Sequence, residues 1–432
     1  MINRLYKTIV ITIVSFFCIN DAYTQTWLPV GSGMNGGYIY TLCHYDSVLY
    51  AGGTFIEPGN HIAQWNGGYW QGLGSGTNGY VDALGIYKQR LFVGGFFSSA
   101  GGISATDLVE WNGANWFEGV LAVPSYVVTA FDTINKDLLV GNSGGFTFTY
   151  VDSAWGNYVN GINQVNAMCM FKDSLYEVGY KIVYPFYAYL GESFIGYFGV
   201  MRKAGSNYSW AKKAKFTSVS ATADLNCMAE YNGYLFIGGI FDSINGSPMS
   251  NIVCWNGNTF LPVESINGQV YALQVFDGKL YAGGLFDSAG GKPANNIACW
   301  NGSSWSALGQ GVNNVVFALD TFQGNLYVGG GFTNPYNYIA KFDTASDNTV
   351  RIFQSVSIFP NPTSGILYIG IPSGAINSEL EIYDMLGQKM YSNILNTTYS
   401  QLNLPGFASG IYFYLITSSS GNKVASGKFI RL

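Results

Sequence analysis

The stretch that decides the fold is Val270–Leu308, which reads VYALQVFDGKLYAGGLFDSAGGKPANNIACWNGSSWSAL. Val81–Trp116 repeats much of it as VDALGIYKQRLFVGGFFSSAGGISATDLVEWNGANW. The shared frame is V-x-A-L, then L-[YF]-x-G-G-x-F, then W-N-G, and it recurs, sometimes degraded, about every 46 residues. Its first glycine, or the counterpart of that glycine, lies at Gly52, Gly94, Gly141, Gly179, Gly238, Gly283 and Gly329. A period of this length indicates an array of repeated structural units.

Each repeat contains four apolar runs of strand length, separated by Gly, Asn or Asp, and this pattern predicts a four-stranded antiparallel sheet. Asn-Gly pairs such as Asn256-Gly257 and Asn301-Gly302 lie between the third and fourth runs. They favour a tight two-residue hairpin turn with positive φ. A single four-stranded sheet cannot bury both of its faces, but sheets that stack radially can. The repeats therefore predict an all-β fold with a β-propeller.

The two ends of the repeat array complement one another. The last repeat supplies runs at Val315–Thr321, Leu326–Phe332 and Tyr338–Phe342 and then stops without a fourth. The segment Thr26–Gly31, TWLPVG, resembles that missing fourth run. If it completes the last sheet, the ring is closed and no sheet edge stays open. We therefore expect a seven-bladed propeller over 26–346, with an open array of sheets as the alternative.

Composition narrows the class of protein further. Only 10% of the 432 residues are charged, 16% are aromatic, and 56 are glycine. Disordered chains need more charge and fewer aromatic residues, and coiled coils need charged heptads. The formal net charge is −5, without a basic excess. A nucleic-acid partner is not expected, because such binding relies on Lys and Arg that neutralise phosphates.

The N-terminus has the pattern of a secretory signal peptide. Arg4 and Lys7 precede the apolar run Thr8–Ile19, and a polar stretch follows. We assign 1–25 to the signal peptide, because the apolar run is too short to span a bilayer comfortably. No later segment approaches 18 apolar residues without Gly or charge, so no transmembrane segment is expected in the mature chain.

The repeats resemble the Kelch-like propeller repeats of bacteria, in which L-Y-V-G-G-x-F and W-N-G-x-x-W recur. Counterparts here are LYAGGLF at Leu280–Phe286 and WNGSSW at Trp300–Trp305. The resemblance covers about three quarters of the chain. It implies the propeller fold and carries little information about activity, because one fold hosts many functions.

A different unit follows the repeats. The polar stretch 347–354 is predicted to be a linker, and 355–432 is predicted to be a small β-sandwich from its alternating strands and Gly turns. Four segments occur there in order: FPNPTSG from Phe359, IYDMLGQ from Ile382, SGIY from Ser409 and GKFI from Gly427.

These segments resemble the type A C-terminal sorting domain of the type IX secretion system of Bacteroidetes; an ordinary adhesion-type sandwich is the alternative. The resemblance implies that the type IX machinery is a partner. It also implies export through the periplasm to the cell surface or the extracellular space, usually with removal of this domain. The residues that match the sorting signal are Pro360, Asn361, Pro362, Gly387, Gly410, Tyr412 and Lys428.

Catalytic and metal-binding patterns are missing from the sequence. The only histidines, His44 and His61, have no motif around them, and zinc patterns need more His or Cys at close spacing. Two G-x-G-x-x-G matches, Gly31–Gly36 and Gly74–Gly79, lie between predicted strands rather than between a strand and a helix. We therefore assign no catalytic residue, no metal site and no cofactor, and interpret the cysteines as small apolar residues.

The fourth repeat carries an insert that is rich in aromatic and basic residues. Aromatic side chains suit sugar rings, and a basic cluster suits an anionic partner. The candidate ligand-binding residues are Tyr184, Phe186, Tyr187, Tyr189, Lys212 and Lys213. We expect a non-enzymatic binding module for a glycan or a surface protein. The alternatives are a polysaccharide-degrading hydrolase or lyase with carboxylates near the central channel, and a purely structural surface component.

Overall fold

The computed structural model describes residues 26–45, 47–118, 126–134, 137–151, 154–160, 162–183, 193–204, 207–218, 223–343, 356–359, 366–371, 375–396, 399–404, 406–418 and 421–431. These residues divide between two compact units, one within 25–344 and one within 345–432. The predicted signal peptide, 1–25, and the predicted linker, 347–354, lie outside the described residues. In the part of the chain that is described, no helix is long and apolar enough to cross a membrane.

The first unit is built from antiparallel strands. In chain order they are β1 (Thr26–Pro29), β2 (Ile39–Tyr45), β3 (Val48–Gly53), β4 (Ile62–Trp65), β5 (Trp70–Gly72), β6 (Val81–Tyr87), β7 (Arg90–Gly95), β8 (Ser99–Ala100), β9 (Ile103–Ser104), β10 (Leu108–Trp111), β11 (Trp116–Glu118), β12 (Val128–Ile134), β13 (Asp137–Asn142), β14 (Phe146–Val151), β15 (Ala154–Asn160), β16 (Gln164–Phe171), β17 (Ser174–Val183), β18 (Ser193–Ala204), β19 (Asn207–Thr217), β20 (Asp224–Tyr231), β21 (Tyr234–Ile240), β22 (Ser243–Ile244), β23 (Ser247–Pro248), β24 (Ile252–Trp255), β25 (Phe260–Pro262), β26 (Gln269–Phe276), β27 (Lys279–Leu285), β28 (Ser288–Ala289), β29 (Lys292–Pro293), β30 (Ile297–Trp300), β31 (Trp305–Ala307), β32 (Val316–Phe322), β33 (Asn325–Gly330) and β34 (Ile339–Asp343).

Consecutive strands form one meander per repeat. The sheets have the orders β2-β3-β4-β5, β6-β7-β10-β11, β12-β13-β14-β15, β16-β17-β18-β19, β20-β21-β24-β25 and β26-β27-β30-β31. Short hairpins, β8–β9, β22–β23 and β28–β29, occupy loops between the second and third strands of their repeats. One of them, β22, also pairs with β19 of the preceding sheet, where Phe216 faces Ile244.

The last sheet is completed from the other end of the chain. β34 pairs with β1, with Trp27 opposite Phe342 and Pro29 opposite Ala340. The first strand of each sheet contacts the first strand of the next, in the cyclic order β2, β6, β12, β16, β20, β26, β32 and again β2. These strands therefore surround a central channel. The closure leaves the last sheet without the open edge that three strands alone would have.

The Gly-Gly pair of the repeat serves two different contacts. A Cβ on Gly283 would lie 2.4 Å from the Cγ1 atom of Val316, which is fully buried in the next sheet. A Cβ on Gly284 would lie 2.1 Å from the carbonyl oxygen of Gln269 in its own sheet. The missing side chain of the first glycine thus allows the neighbouring sheet to approach closely. The missing side chain of the second allows close approach of the backbone of its own sheet beside a β-bulge. The counterpart assigned to Gly179 is off by one residue, because Gly179 pairs with Val165 as the second glycine does elsewhere.

The W-N-G turns differ from the two-residue turn expected for Asn-Gly. In Trp300 to Trp305 the two tryptophans face one another across a four-residue loop. The Asn301 side-chain oxygen accepts hydrogen bonds from the backbone N–H groups of Ser303 and Ser304, and only Gly302 has a positive φ. The Asn side chain closes this turn, so two successive residues with positive φ are not needed.

The second unit has two antiparallel sheets. Its strands are β35 (Ser357–Phe359), β36 (Ile366–Gly370), β37 (Ser378–Tyr383), β38 (Lys389–Leu395), β39 (Tyr399–Asn403), β40 (Gly410–Thr417) and β41 (Lys423–Arg431). The sheet orders are β35-β36-β39 and β38-β37-β40-β41. Leu367 and Leu402 from the first sheet share one core with Leu380, Ile416 and Phe429 from the second. Two sheets that face a common core form a small sandwich.

Candidate functional site

The second residue of the V-x-A frame occupies the same position on the first strand, with a similar degree of burial, in every sheet of the first unit. The first residue of the frame, such as Val81, is fully buried between sheets. The next side chain alternates to the other side of the strand and is half-buried. We call the set of second residues the mouth ring; its members are Tyr40, Asp82, Thr129, Asn166, Asn226, Tyr271 and Phe317. The mouth ring lies at the beginning of the first strands, at one end of the channel.

Aromatic rings line one half of this end. Tyr271 contacts Phe317 with ring centroids 5.1 Å apart, and Phe317 contacts Tyr40 at 5.3 Å. Tyr40 in turn lies 6.5 Å from Tyr80, whose ring stacks on Phe96 at 5.5 Å. We call these five residues the aromatic arc. It crosses four consecutive sheets and ends at the Phe96 side chain, which is 58% exposed.

Amide, hydroxyl and carboxylate groups line the other half. The Tyr180 hydroxyl donates a hydrogen bond to Gln164 Oε1 at 3.0 Å, and Gln164 Nε2 donates to Asn166 Oδ1 at 2.8 Å. Asn166 Nδ2 then donates to Asp224 Oδ1 at 2.7 Å. We call these four residues the polar arc. Their side chains are joined in one continuous hydrogen-bonded network, which fixes their orientation.

The polar members of the mouth ring also tie neighbouring sheets together. Thr129 Oγ1 donates to the carbonyl oxygen of Val165, and Asn226 Nδ2 donates to that of Val270. Both carbonyls lie at the β-bulge that interrupts the first strand of the next sheet. Each bulge carbonyl therefore obtains its hydrogen bond from a side chain of the preceding sheet.

Two carboxyl groups at the mouth are shifted toward the protonated form. Burial raises the pKa of Asp82 to about 7. Burial also raises the pKa of Asp224 to about 6, and the hydrogen bond from Asn166 opposes that rise. Burial is the main reason why the pKa values of Tyr40, Tyr80 and Tyr271 are raised, and the nearby Asp82 or Asp224 adds to it. Both carboxyl groups thus titrate close to neutral pH.

The opposite end of the channel holds structural contacts. His44 Nδ1 lies 3.0 Å from Asp320 Oδ1, which joins β2 to β32. The other histidine, His61, lies instead in the loop between β3 and β4, where its Nδ1 is 2.9 Å from the carbonyl oxygen of Thr77. Burial raises the pKa values of Cys43 and Cys169 to about 12, so their nucleophilic thiolate forms are scarce at neutral pH. Among the described residues, no group of three His, Cys, Asp or Glu side chains is arranged to hold a metal ion.

The predicted ligand-binding residues separate into two groups. Tyr184, Phe186, Tyr187 and Tyr189 lie outside the described residues. Lys212 and Lys213 lie on β19, the fourth strand outward from the channel, and the Lys212 ammonium is 5.5 Å from the centre of the Tyr197 ring. A ligand site that contains all six remains a prediction.

The strands that flank the aromatic insert reach the mouth. β17 and β18 stay paired for three residue pairs beyond Tyr180, as far as Val183 opposite Ser193. Tyr180 itself belongs to the polar arc. The described strands β17 and β18 on either side of the insert therefore extend to the mouth of the channel.

The sorting-signal residues are described in part. Pro360, Asn361 and Pro362 lie outside the described residues. Gly387 has φ +79° in a turn where Asp384 Oδ1 accepts hydrogen bonds from two backbone N–H groups. Gly410 begins β40, and the Tyr412 hydroxyl donates to the carbonyl oxygen of Ala408 at 2.9 Å. Lys428 pairs with Phe413 on the neighbouring strand.

Two family models match the chain. Residues 357–430 match the secretion system C-terminal sorting domain, and residues 277–304 match a beta-propeller domain of unknown function, DUF5122. The C-terminal unit is therefore a sorting domain, and the first unit has a β-propeller fold. The sorting domain directs export by the type IX system, so the protein belongs at the cell surface or in the extracellular space. A comparison with curated proteins found no match.

One solved structure supports the fold, and the fold alone, and a second resembles the chain with a lower TM-score. The extracellular domain of the hybrid two-component system BT4673 from B. thetaiotaomicron is 13% identical with a TM-score of 0.52, over 86% of this chain and 47% of that chain. PorZ, a surface component of the type-IX secretion system of Porphyromonas gingivalis, is 16% identical with a TM-score of 0.47, over 94% of this chain and 61% of that chain. The chain thus spans less than two thirds of either neighbour.

Sequence reasoning did not single out the residues of the channel mouth. Asp82, Asp224 and the aromatic arc lie within ordinary strand patterns, where Tyr and Phe are expected for packing. An alignment of the repeats on the V-x-A frame would have exposed them. The second column of the frame varies between aromatic, hydroxyl, amide and carboxyl side chains, while the first and third columns stay small or apolar.

Proposed function

We propose that this exported protein is a non-enzymatic glycan-binding module, and that its site is the mouth of the channel in a seven-bladed propeller of Kelch-like repeats. The aromatic arc carries this proposal. A half-circle of rings opposite an oriented row of amide and carboxyl groups suits a sugar, because pyranose rings offer apolar faces and hydroxyl edges. Under this proposal, the predicted signal peptide starts export and the sorting domain completes it.

The test measures retention and cleavage together. The secreted protein is applied to a panel of neutral, acidic and amino polysaccharides, and both bound protein and released reducing ends are scored. The variant Phe317→Ala removes the ring between Tyr271 and Tyr40, so we expect binding to weaken about tenfold. The matched control is Tyr69→Ala, because Tyr69 is 61% exposed in the turn between β4 and β5, away from the channel. Equal binding by both variants would contradict the assignment of the site.

The predicted insert is tested in the same assay. Replacement of Tyr184, Tyr187 and Tyr189 by Ala is expected to weaken binding while the fold survives. Unchanged binding would restrict the site to the aromatic and polar arcs.

A second candidate function rests on the two carboxyl groups. Asp82 and Asp224 belong to first strands that are not neighbours in the ring, and both titrate near neutral pH. One protonated and one ionised carboxyl group are the requirement for acid and base catalysis of glycoside cleavage. Release of reducing ends that is lost in both Asp82→Asn and Asp224→Asn would favour a hydrolase. Retention without release would favour the binding module.

A further inference from the structure

Asp82 differs from Asp224, the carboxyl group of the polar arc. Asp224 accepts a hydrogen bond from Asn166, whereas Asp82 has no hydrogen-bond partner within the described residues. Burial is the only cause of its raised pKa. A half-buried carboxylate without a partner is unfavourable, and a cation that reaches it removes the penalty.

The surroundings of Asp82 suit a cation. Tyr40 is the neighbouring member of the mouth ring, on the adjacent first strand, and Tyr80 lies two residues before Asp82 in the chain. Their rings contact one another, and Phe96 extends the aromatic surface outward. Aromatic faces attract ammonium groups, and an adjacent carboxylate adds an ionic hydrogen bond.

The protein does not supply that cation from the same sheet. The only basic residues between Val81 and Glu118 are Lys88 and Arg90, at the turn at the other end of β6. Arg90 is bound to Glu110 at 2.7 Å. The mouth ring, the aromatic arc and the polar arc contain no Lys or Arg, so the charge of these described residues favours a cation over an anion.

We propose that the channel mouth takes a glycan with free, protonated amino groups, and that Asp82 binds one ammonium beside the rings of Tyr40 and Tyr80. This inference rests on the proposed glycan-binding function and names its ligand class as amino sugars. An N-acetylated sugar lacks the charge, and a uronic acid carries the wrong one. Discrimination should therefore come from charge rather than from ring shape.

The experiment compares two ligands on one scaffold. Calorimetry near neutral pH measures binding of a β-1,4-linked glucosamine hexamer and of its fully N-acetylated form to the secreted protein. We expect the free amine to bind about tenfold more tightly, since an ionic hydrogen bond in a half-buried site is worth this much. Asp82→Asn should remove the difference in affinity between the two hexamers. The matched control, Asp132→Asn, changes a carboxyl group at the fifth rather than the second residue of its first strand and should retain the difference.

The outcomes separate the two proposals. Equal binding of both hexamers, or a preference that survives Asp82→Asn, overturns the amine inference but leaves glycan binding intact. Binding of neither hexamer overturns the amine inference. If the polysaccharide panel also shows no retention, the proposed glycan-binding function fails as well. A melting curve of each variant, followed by tryptophan fluorescence, verifies that lost binding is not lost folding.

Discussion

Substitution of Gly283 by Ala tests how the sheets fit together. The added Cβ would meet the Cγ1 atom of Val316 at 2.4 Å and its Cβ at 3.0 Å. Val316 is fully buried and β-branched, so its side chain has little freedom to rotate away. Overpacking of this kind costs about 1–3 kcal/mol. We therefore expect Gly283→Ala to destabilise the propeller by about 2 kcal/mol.

The reciprocal change gives this prediction its sharpest form. Val316→Ala removes two methyl groups from a buried contact and should cost about 2–3 kcal/mol through lost burial and a cavity. In the double variant, the Cβ of residue 283 occupies the space that Cγ1 has left. The stability lost in the double variant should therefore be smaller than the sum of the losses in the two single variants, by about 1 kcal/mol or more.

Tryptophan fluorescence during urea unfolding is the assay. All ten tryptophans lie between Trp27 and Trp305, so the signal reports on the propeller and not on the sorting domain. Gly331→Ala is the control, because its Cβ meets only side-chain atoms, at 3.1 Å and beyond. We expect a change within about 1 kcal/mol for that control. Strictly additive losses in the double variant would refute the steric explanation of the first glycine.

Three further predictions concern a buried carboxyl group, the tryptophan pairs and the sorting domain. Burial raises the pKa of Glu177 from 4.5 to about 7, so the native state favours its protonated form. The free energy of unfolding should therefore fall by about 3 kcal/mol as pH rises from about 4.5 to about 7. In urea unfolding measured across this pH range, Glu177→Gln should show a smaller fall. Parallel pH profiles of the wild type and the variant would contradict the prediction. Trp116→Phe loses the hydrogen bond from Nε1 to the Leu73 carbonyl and should cost about 1 kcal/mol. Trp111→Phe in the same hairpin should cost less, because Nε1 of Trp111 has no hydrogen-bond partner among the described residues. Deletion of 355–432 should retain the protein in the periplasm, and its appearance in the surface fraction would disprove the sorting role.

The repeat frame made the local structure predictable because each of its residues meets a local structural requirement. Gly283 and Gly284 are needed where a neighbouring sheet and a bulged backbone approach, and Asn301 closes a turn with its own side chain. Such requirements recur at a fixed spacing and are visible in one sequence. The register in the fourth repeat was harder to predict, because Val178 stands where the others have the first glycine.

The candidate site was not predictable in the same way. Tyr271, Phe317, Tyr40 and Tyr80 come from distant parts of the chain and meet only because the first strands close into a ring. Each of them alone is an ordinary aromatic residue of a strand. The raised pKa of Asp82 likewise depends on burial by neighbouring sheets, which no local pattern records.

The sequence by itself determined the strands, the repeats and the export signal at the C-terminus, because all three depend on residues that are close together in the chain. Only the tertiary structure decided which side chains share the mouth of the channel and which carboxyl groups there have no charge partner within the described residues. The physical reason is that the residues that form turns and sheet contacts recur at a fixed spacing along the chain. The mouth, in contrast, is assembled from one residue of each repeat, and its chemistry depends on the neighbours that closure of the ring brings together.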